Sequence, residues 1–278
     1  METDMSALSI LFGMLVGLSL GLTGGGGAIF AVPLLVYGLG TPTKEAVGIS
    51  LAAVGATAFV GFLHRWKLRE VELRTGLLFA FAGMLGAPIG TWLAGLLPDQ
   101  VLLLSFGALM VIVAVRMWRQ ASKRNPVAGS PECPSPDDQD GPTCRRDASG
   151  ALLLSSRCAG LLLVVGVMTG VLSGLFGVGG GFVIVPALVL FSGMSIHRAV
   201  GTSLMVIALV SVSGIAAQIW SARAIAPLVT GLFVLGGVAG LLAGQRIGRR
   251  LKGPALQKVF VVAILAVAVL VIVRNLYA

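Results

Sequence analysis

An all-α polytopic membrane protein, folded as two inverted repeats of about five helical segments each with broken helices at glycine-rich motifs, is what three features of the sequence predict. The first is composition. Of 278 residues 56% are hydrophobic and 11% charged, with a mean hydropathy of +0.98, whereas soluble domains carry roughly 25% charged residues. The second is a series of apolar stretches of membrane length. The third is a duplicated break: Gly21-Leu22-Thr23-Gly24-Gly25-Gly26-Gly27 with Pro33 beyond it, returning as Gly174-Leu175-Phe176-Gly177-Val178-Gly179-Gly180-Gly181 with Pro186 beyond it.

The apolar stretches run from Ala7 to Leu39, Ala46 to Leu63, Thr75 to Leu97, Val101 to Trp118, Ala151 to Phe191, Ala199 to Trp220, Ile225 to Gly244 and Gln257 to Leu276. A helix crosses hydrocarbon in about 20 residues, so the first and fifth are too long for one span. Each carries the glycine run in its middle. Glycine in a helix interior costs about 1 kcal/mol relative to alanine, so the helix is expected to break there, giving Ala7–Leu22 plus Ala28–Gly38 and Ala151–Leu175 plus Phe182–Phe191. The second piece of each is too short for a full crossing, so the chain is expected to turn inside the protein.

Between the halves, residues 120–150 contain Pro126, Pro131, Pro134, Pro136 and Pro142 with mixed charge and little that is apolar. They read as a disordered cytoplasmic linker separating a first repeat at 1–119 from a second at 151–278. Gly21–Leu51 aligns with Gly174–Leu204 without a gap, and about half the positions are identical, which marks an internal duplication.

Charge orients the copies. The formal net charge is +9, but the basic residues lie in short loops, so they report positive-inside topology rather than nucleic-acid binding. The basic loops are His64–Arg69, Arg246–Lys252 and the linker with its flanks. Counting each broken stretch as two crossings puts all three inside, both termini outside, and the copies in opposite orientations, as in many secondary transporters. Lys44 and Arg223 fall on the outer side. The rival is eight spans with shallow re-entrant turns. The acidic start, Met1-Glu2-Thr3-Asp4-Met5, lacks the basic region of a cleavable signal, so insertion by the first helix into a plasma or bacterial inner membrane is expected. Cys133, Cys144 and Cys158 form no CxxC pair and lack supporting histidines, so reduced thiols and no metal or other cofactor are expected.

Non-helical backbone at membrane depth survives only where it is buried in protein or lines a cavity. The N–H groups that open a helix lack intrahelical partners and favour anions. Thr23, Gly24, Gly25, Gly26 and Gly27 in one copy, and Gly177, Gly179, Gly180 and Gly181 in the other, are therefore candidate ligands for a small anion; the alternative is that these glycines serve helix packing. Ser50, Thr202 and Ser203, in Ala-Val-Gly-Ile-Ser-Leu and Ala-Val-Gly-Thr-Ser-Leu, could offer neutral hydroxyls or bond back to their own helix. Arg198 could draw an anion to the mouth of its helix or be an ordinary interfacial charge. Gln218 is either a ligand or a helix–helix hydrogen bond. No catalytic constellation is present.

At Gly21–Pro33 with Ala46–Leu51, and Gly174–Pro186 with Ala199–Leu204, the sequence resembles the TauE/SafE family of membrane permeases, the sulfite and sulfonate exporters. The resemblance covers nearly the whole chain except the linker. It implies a permease with two repeats that moves sulfite, sulfoacetate or a related anion across the lipid bilayer; from the paired breaks and the inversion, alternating access by one repeat rocking against the other is expected. Proton coupling stays open, since no carboxylate stands within the membrane. A membrane assembly protein without transport and a small-anion channel are the other readings.

Overall fold

The computed structural model describes residues 2–123, 156–192, 194–220, 226–248 and 254–277; the 120–150 linker expectation lies outside these apart from its first residues. Among the described residues there are ten helices and no strands. They are α1 (Glu2–Thr23), α2 (Gly26–Gly38), α3 (Thr43–Lys67), α4 (Leu73–Leu96), α5 (Asp99–Lys123), α6 (Ser156–Phe176), α7 (Gly181–Ser192), α8 (Ile196–Trp220), α9 (Pro227–Gly248) and α10 (Pro254–Tyr277). Six of them (α1, α3, α4, α6, α8 and α9) are long and apolar enough to cross a bilayer. Both expected breaks are real and fall within a residue or two of the places expected.

The first short piece is irregular. It opens as a 3₁₀ turn at Gly26–Phe30, passes through one α turn at Ala31–Pro33, and widens into a π turn at Leu34–Gly38. Proline supplies no N–H and its ring presses on the preceding turn, so a change of helical pitch around Pro33 has a local cause. The second copy, α7, is α-helical over its twelve residues with Pro186 inside.

Glycine rows set the helix pairing. A Cβ built on Gly13, Gly17 or Gly21 of α1 would fall 2.2 Å from the Phe233 carbonyl oxygen, 1.9 Å from that of Gly237 and 2.5 Å from that of Leu241, all on α9. In return, Cβ atoms on Gly236, Gly240 and Gly244 would strike the carbonyls of Ile10, Met14 and Leu18. Only backbone touching backbone along both helices gives this pattern, the close approach that small residues permit in membranes. The second repeat reproduces it: Gly170 and Gly174 of α6 abut the carbonyls of Gly83 and Ala87, and Gly86 and Gly90 of α4 abut those of Val167 and Val171.

These registers fix the direction of every long helix. Residue numbers rise together between α1 and α9, so the two are parallel. They also rise together between α3 and α9, where Gly237 meets Thr57 and Gly61 meets Leu241. Hence α1 and α3 run the same way, and α2 must carry the chain back between them. Against α8, the numbers on α3 run oppositely: Gly214 meets Leu51, Gly55 meets Ser211 and Gly61 meets Leu204. Because α3 and α8 are the same element of the two copies, their antiparallel pairing makes the repeats inverted. Eight simple spans would have set α3 and α8 parallel, so that alternative is removed.

The repeats are not two lobes. The first helix of each copy packs on the fourth helix of the other, α1 on α9 and α6 on α4, and the two copies interleave about a pseudo-two-fold axis through the α3–α8 crossing. The C-terminal ends of α3, α5 and α9, after which the three basic segments follow in the sequence, then share one face, and the positive-inside rule assigns that face to the cytoplasm. Two ties agree with this. An Arg65 guanidinium nitrogen at the end of α3 lies 3.5 Å from the His197 carbonyl at the start of α8. On the opposite face Lys44 stands 3.9 Å from Asp99 and 3.4 Å from the Gly95 carbonyl, so the misplaced charge at Lys44 is matched by an acid. Arg223 lies outside the described residues. Contrary to the expectation of reduced thiols, Cys158 is buried and disulfide-bonded, with its partner outside the described residues.

Candidate functional site

The two breaks meet. A Cβ on Gly25 would lie 2.7 Å from the Cα, carbonyl carbon and oxygen of Gly181, and one on Gly181 would lie 2.6 Å from the Gly25 Cα. Nothing larger than glycine fits at either position without displacement of backbone. Gly24 and its counterpart Gly177 close their helices with left-handed φ of 76° and 69°, the conformation in which glycine is favoured after a helix. Their N–H groups make the last helical bonds, to Leu20 and Ser173, each at 2.8 Å.

Two serines clamp these turns across the repeats. Ser50 Oγ donates to the Gly177 carbonyl at 2.7 Å, and Ser203 Oγ to the Gly24 carbonyl at 2.6 Å; Ser203 also lies 2.8 Å from the Val200 carbonyl. The partners are the same positions of the two copies. A carbonyl released at a helix end and buried at membrane depth needs a donor, and the serine of the facing repeat supplies it. In this conformation the serine protons are therefore directed at backbone, and the hydroxyl lone pairs are what remains for another group.

Thr23 and Phe176 make the breaks differ. The Thr23 hydroxyl donates to the Ser19 carbonyl at 2.7 Å and accepts the Gly27 N–H at 3.2 Å, so it caps the 3₁₀ turn. Phe176 cannot do so. It stacks obliquely on Phe106, with centroids 5.4 Å apart. In the first break the Gly25 and Gly26 N–H groups donate to no backbone carbonyl, and in the second the same holds for Val178, Gly179 and Gly180, among the described residues. Gly179 and Gly180 are both left-handed, with φ of 68° and 67°, a conformation that glycine adopts without steric cost. Gly27 packs on Leu20 and Ser19 of its own α1 and Gly26 is buried.

The remaining candidates scatter. Thr202 accepts the Glu72 N–H at 3.0 Å, tying the α3–α4 loop to α8. Arg198 is exposed at the start of α8 on the cytoplasmic face, away from the Gly25–Gly181 contact. Gln218 is fully buried with both carboxamide atoms unbonded among the described residues.

Sequence reasoning missed several polar groups. Gln245, 5% exposed, also has both carboxamide atoms unbonded, as do the hydroxyls of buried Ser173 and Ser211. Gln245 sits one residue past the end of an apolar stretch and beside Arg246, so hydropathy assigns it to a loop; its backbone N in fact abuts Gly21 at the entrance to the first break. Thr91 holds the same place beside Gly174 at the second break, with its hydroxyl bonded to the Ala87 carbonyl at 3.0 Å. Arg65 reads as part of a solvated basic loop, yet its side chain is only 14% exposed and is paired with Glu70 at 2.7 Å.

The sequence profile of the family described as "Sulfite exporter TauE/SafE" matches residues 9–271. The chain belongs to the TauE/SafE family. A protein from Xylella fastidiosa (strain 9a5c), named "Probable membrane transporter protein", is 34% identical over 95% of this chain and 93% of its own. The Bacillus subtilis "Probable membrane transporter protein YunE" is 27% identical over 96% of both chains, and "Probable membrane transporter protein MJ0441" of Methanocaldococcus jannaschii is 27% identical over 75% of this chain and 70% of its own. No solved structure matches the chain. Family, relatives and fold together make this TauE/SafE protein a multi-pass membrane transporter.

Proposed function

We propose that the chain exports a small sulfur-containing anion, sulfite or an organosulfonate such as sulfoacetate, by alternating access around the paired breaks. The observation that carries this reading is the contact of Gly25 with Gly181, which brings two sets of unpaired backbone N–H groups to one place in the bilayer. Such groups stabilise negative charge without a lysine, whose burial at the bilayer centre is costly. In this reading Gly24, Gly25, Gly26 and Gly27 with the Thr23 cap form one wall, and Gly177, Gly179, Gly180 and Gly181 form the other. Ser50 and Ser203 hold both walls and present lone pairs; Thr202 fastens the cytoplasmic loop behind them. Gln218 supplies an uncommitted amide at the outer end, and Arg198 contributes positive potential at the inner mouth.

Because the repeats interleave, the bodies that move against each other are α1–α3 with α9 on one side and α6–α8 with α4 on the other, rather than one repeat against its twin. The test is efflux of sulfite and sulfoacetate from loaded proteoliposomes. Gly26→Leu and Gly180→Leu should abolish it, while Gly231→Leu, at an exposed position with open space around it, should leave it intact. Equal rates for wild type and the two break variants would remove the site.

A further inference from the structure

The two ends of the proposed pathway are not equivalent in charge, and the difference falls on one residue. The inference that follows rests on the anion-transport reading above and deepens it. Along the parallel α3–α9 contact, Thr57 meets Gly237 and Gly61 meets Leu241. One helical turn further, the same faces bring Arg65 level with Gln245. Gln245 abuts Gly21, three residues before the first break, and α8 covers that break from the other side, with Val200 against Gly24 and Ser203 bonded to its carbonyl. Arg65 reaches this same stretch of α8, at the His197 carbonyl. The pseudo-symmetric position of Arg65 is Gln218, which the α4–α8 register (Gly83 at Val210, Gly214 at Ala87) sets level with Thr91. So the cytoplasmic end of the first break has a guanidinium and an amide, and the outer end of the second has an amide and a hydroxyl.

We propose that Arg65 and Gln245 form the docking station for the anion at the cytoplasmic end, and that Glu70 occupies it when no anion is present. The Glu70 carboxylate sits 2.7 Å from the Arg65 guanidinium, with side-chain exposures of 32% and 14%. A carboxylate is the intramolecular stand-in for a sulfite or sulfonate, since each offers a pair of oxygens to the planar fork of arginine. The incoming anion takes the guanidinium from Glu70, and the unbonded Gln245 carboxamide donates to a further oxygen. Glu70 is also structural: its carbonyl abuts Gly201, and two residues on Glu72 binds Thr202 through its N–H. Displacing the Glu70 side chain therefore loosens the loop that closes the cytoplasmic side. Arginine places the affinity on the side from which an exporter loads.

The experiment compares initial rates of radiolabelled sulfite and sulfoacetate uptake into inside-out and right-side-out membrane vesicles, which expose the cytoplasmic and outer faces respectively. Arg65→Gln should raise the half-saturating concentration at the cytoplasmic face at least tenfold and leave that at the outer face within twofold. Glu70→Gln should lower the cytoplasmic value severalfold, and Gln245→Leu should raise it. Arg69→Gln, which removes a neighbouring charge from the same loop, should change neither face. Arg65→Lys keeps the charge without the fork and should fall between wild type and Arg65→Gln; it also serves if Arg65→Gln fails to reach the membrane. An unchanged cytoplasmic constant in Arg65→Gln, an equal change at both faces, or a Glu70→Gln variant that weakens loading as Arg65→Gln does would overturn the proposal while leaving anion transport standing. Wild-type vesicles that move neither anion would overturn both.

Discussion

Alanine at the glycines of α9 should change stability differently at two positions about two and a half turns apart, on opposite faces of the helix. Gly240 and Gly231 lie on the same helix. A Cβ at Gly240 would stand 2.1 Å from the Met14 carbonyl oxygen, while one at Gly231 meets nothing within 4 Å. Ordinary contact begins near 3.4 Å, so α1 and α9 must part by about 1.3 Å to admit the methyl. The obstructing atom is backbone, which cannot rotate away, and the facing row on α1 is displaced with it. Overpacking of this kind costs about 1–3 kcal/mol, offset by up to about 1 kcal/mol from replacing glycine with alanine in a helix. Gly240→Ala should therefore be destabilising by about 1–2 kcal/mol, and Gly17→Ala, at 1.9 Å from the Gly237 oxygen, by at least as much. Gly231→Ala keeps the helix gain without the clash and should be neutral or stabilising by up to about 1 kcal/mol. At about 2–4 °C per kcal/mol for a chain near this size, the midpoints of thermal unfolding in detergent should separate by roughly 2–12 °C. Superimposable unfolding curves for Gly240→Ala and Gly231→Ala would refute the backbone contact. The parallel α1–α9 register read from those contacts would go with it.

Three further outcomes follow from the same packing. Ser50→Ala and Ser203→Ala each leave a buried glycine carbonyl without its donor and should each destabilise by about 1–3 kcal/mol, read as a loss of thermal midpoint; a neutral result for both would mean that the clamps are incidental. Topology reporters fused at the α3–α4 loop and after α9 should both register the cytoplasmic face, while a tag at the N-terminus should be labelled from outside; opposite sides for the two loops would contradict the inversion. Thr202→Val should free the α3–α4 loop from α8, seen as faster amide hydrogen exchange at Glu72, whose N–H donates to that hydroxyl; unchanged exchange there would show the tie to be unimportant.

The fold was legible because its strongest determinants are local and repeated. Glycine runs break helices by intrinsic propensity, proline marks the piece beyond, and basic loops report side. All three survive in a single sequence. What could not be read was which faces the glycines serve. Gly17 and Gly240 lie in ordinary apolar context, and only the facing helix, more than 200 positions away, shows that their missing Cβ atoms are filled by carbonyl oxygen. The serines were found but their partners were not. A hydroxyl at Ser50 gives no sign that its acceptor is the Gly177 carbonyl of the other copy. Arg65 and Gln245 escaped because hydropathy treats the end of a span as the beginning of solvent, whereas Arg65 packs on the α3–α4 loop and the start of α8 and Gln245 packs on α1.

The interleaving of the repeats bears directly on how such a protein could move. In α1–α9 and α4–α6 the contacts are backbone on backbone for three successive turns, so sliding there would drive carbonyls past Cα atoms. At the α3–α8 crossing the contacts are different: the Ser211 side chain faces Gly55, Leu51 faces Gly214, and Leu204 faces Gly61. Side chains can change rotamer where backbone cannot. Each serine clamp joins one of these helices to the break of the opposite copy, so a hinge at α3–α8 has to exchange both clamps as the bodies move. Gly55→Cys with Ser211→Cys, in a background lacking the three native cysteines, tests this. The Cβ atoms would begin 2.5 Å apart and need about 1.3 Å of relaxation to reach the usual separation across a disulfide. Oxidation should stop efflux of sulfite, and reduction should restore it. Full efflux with the bond formed, verified by mass spectrometry, would place the moving surface elsewhere and return the choice to the α1–α9 and α4–α6 seams.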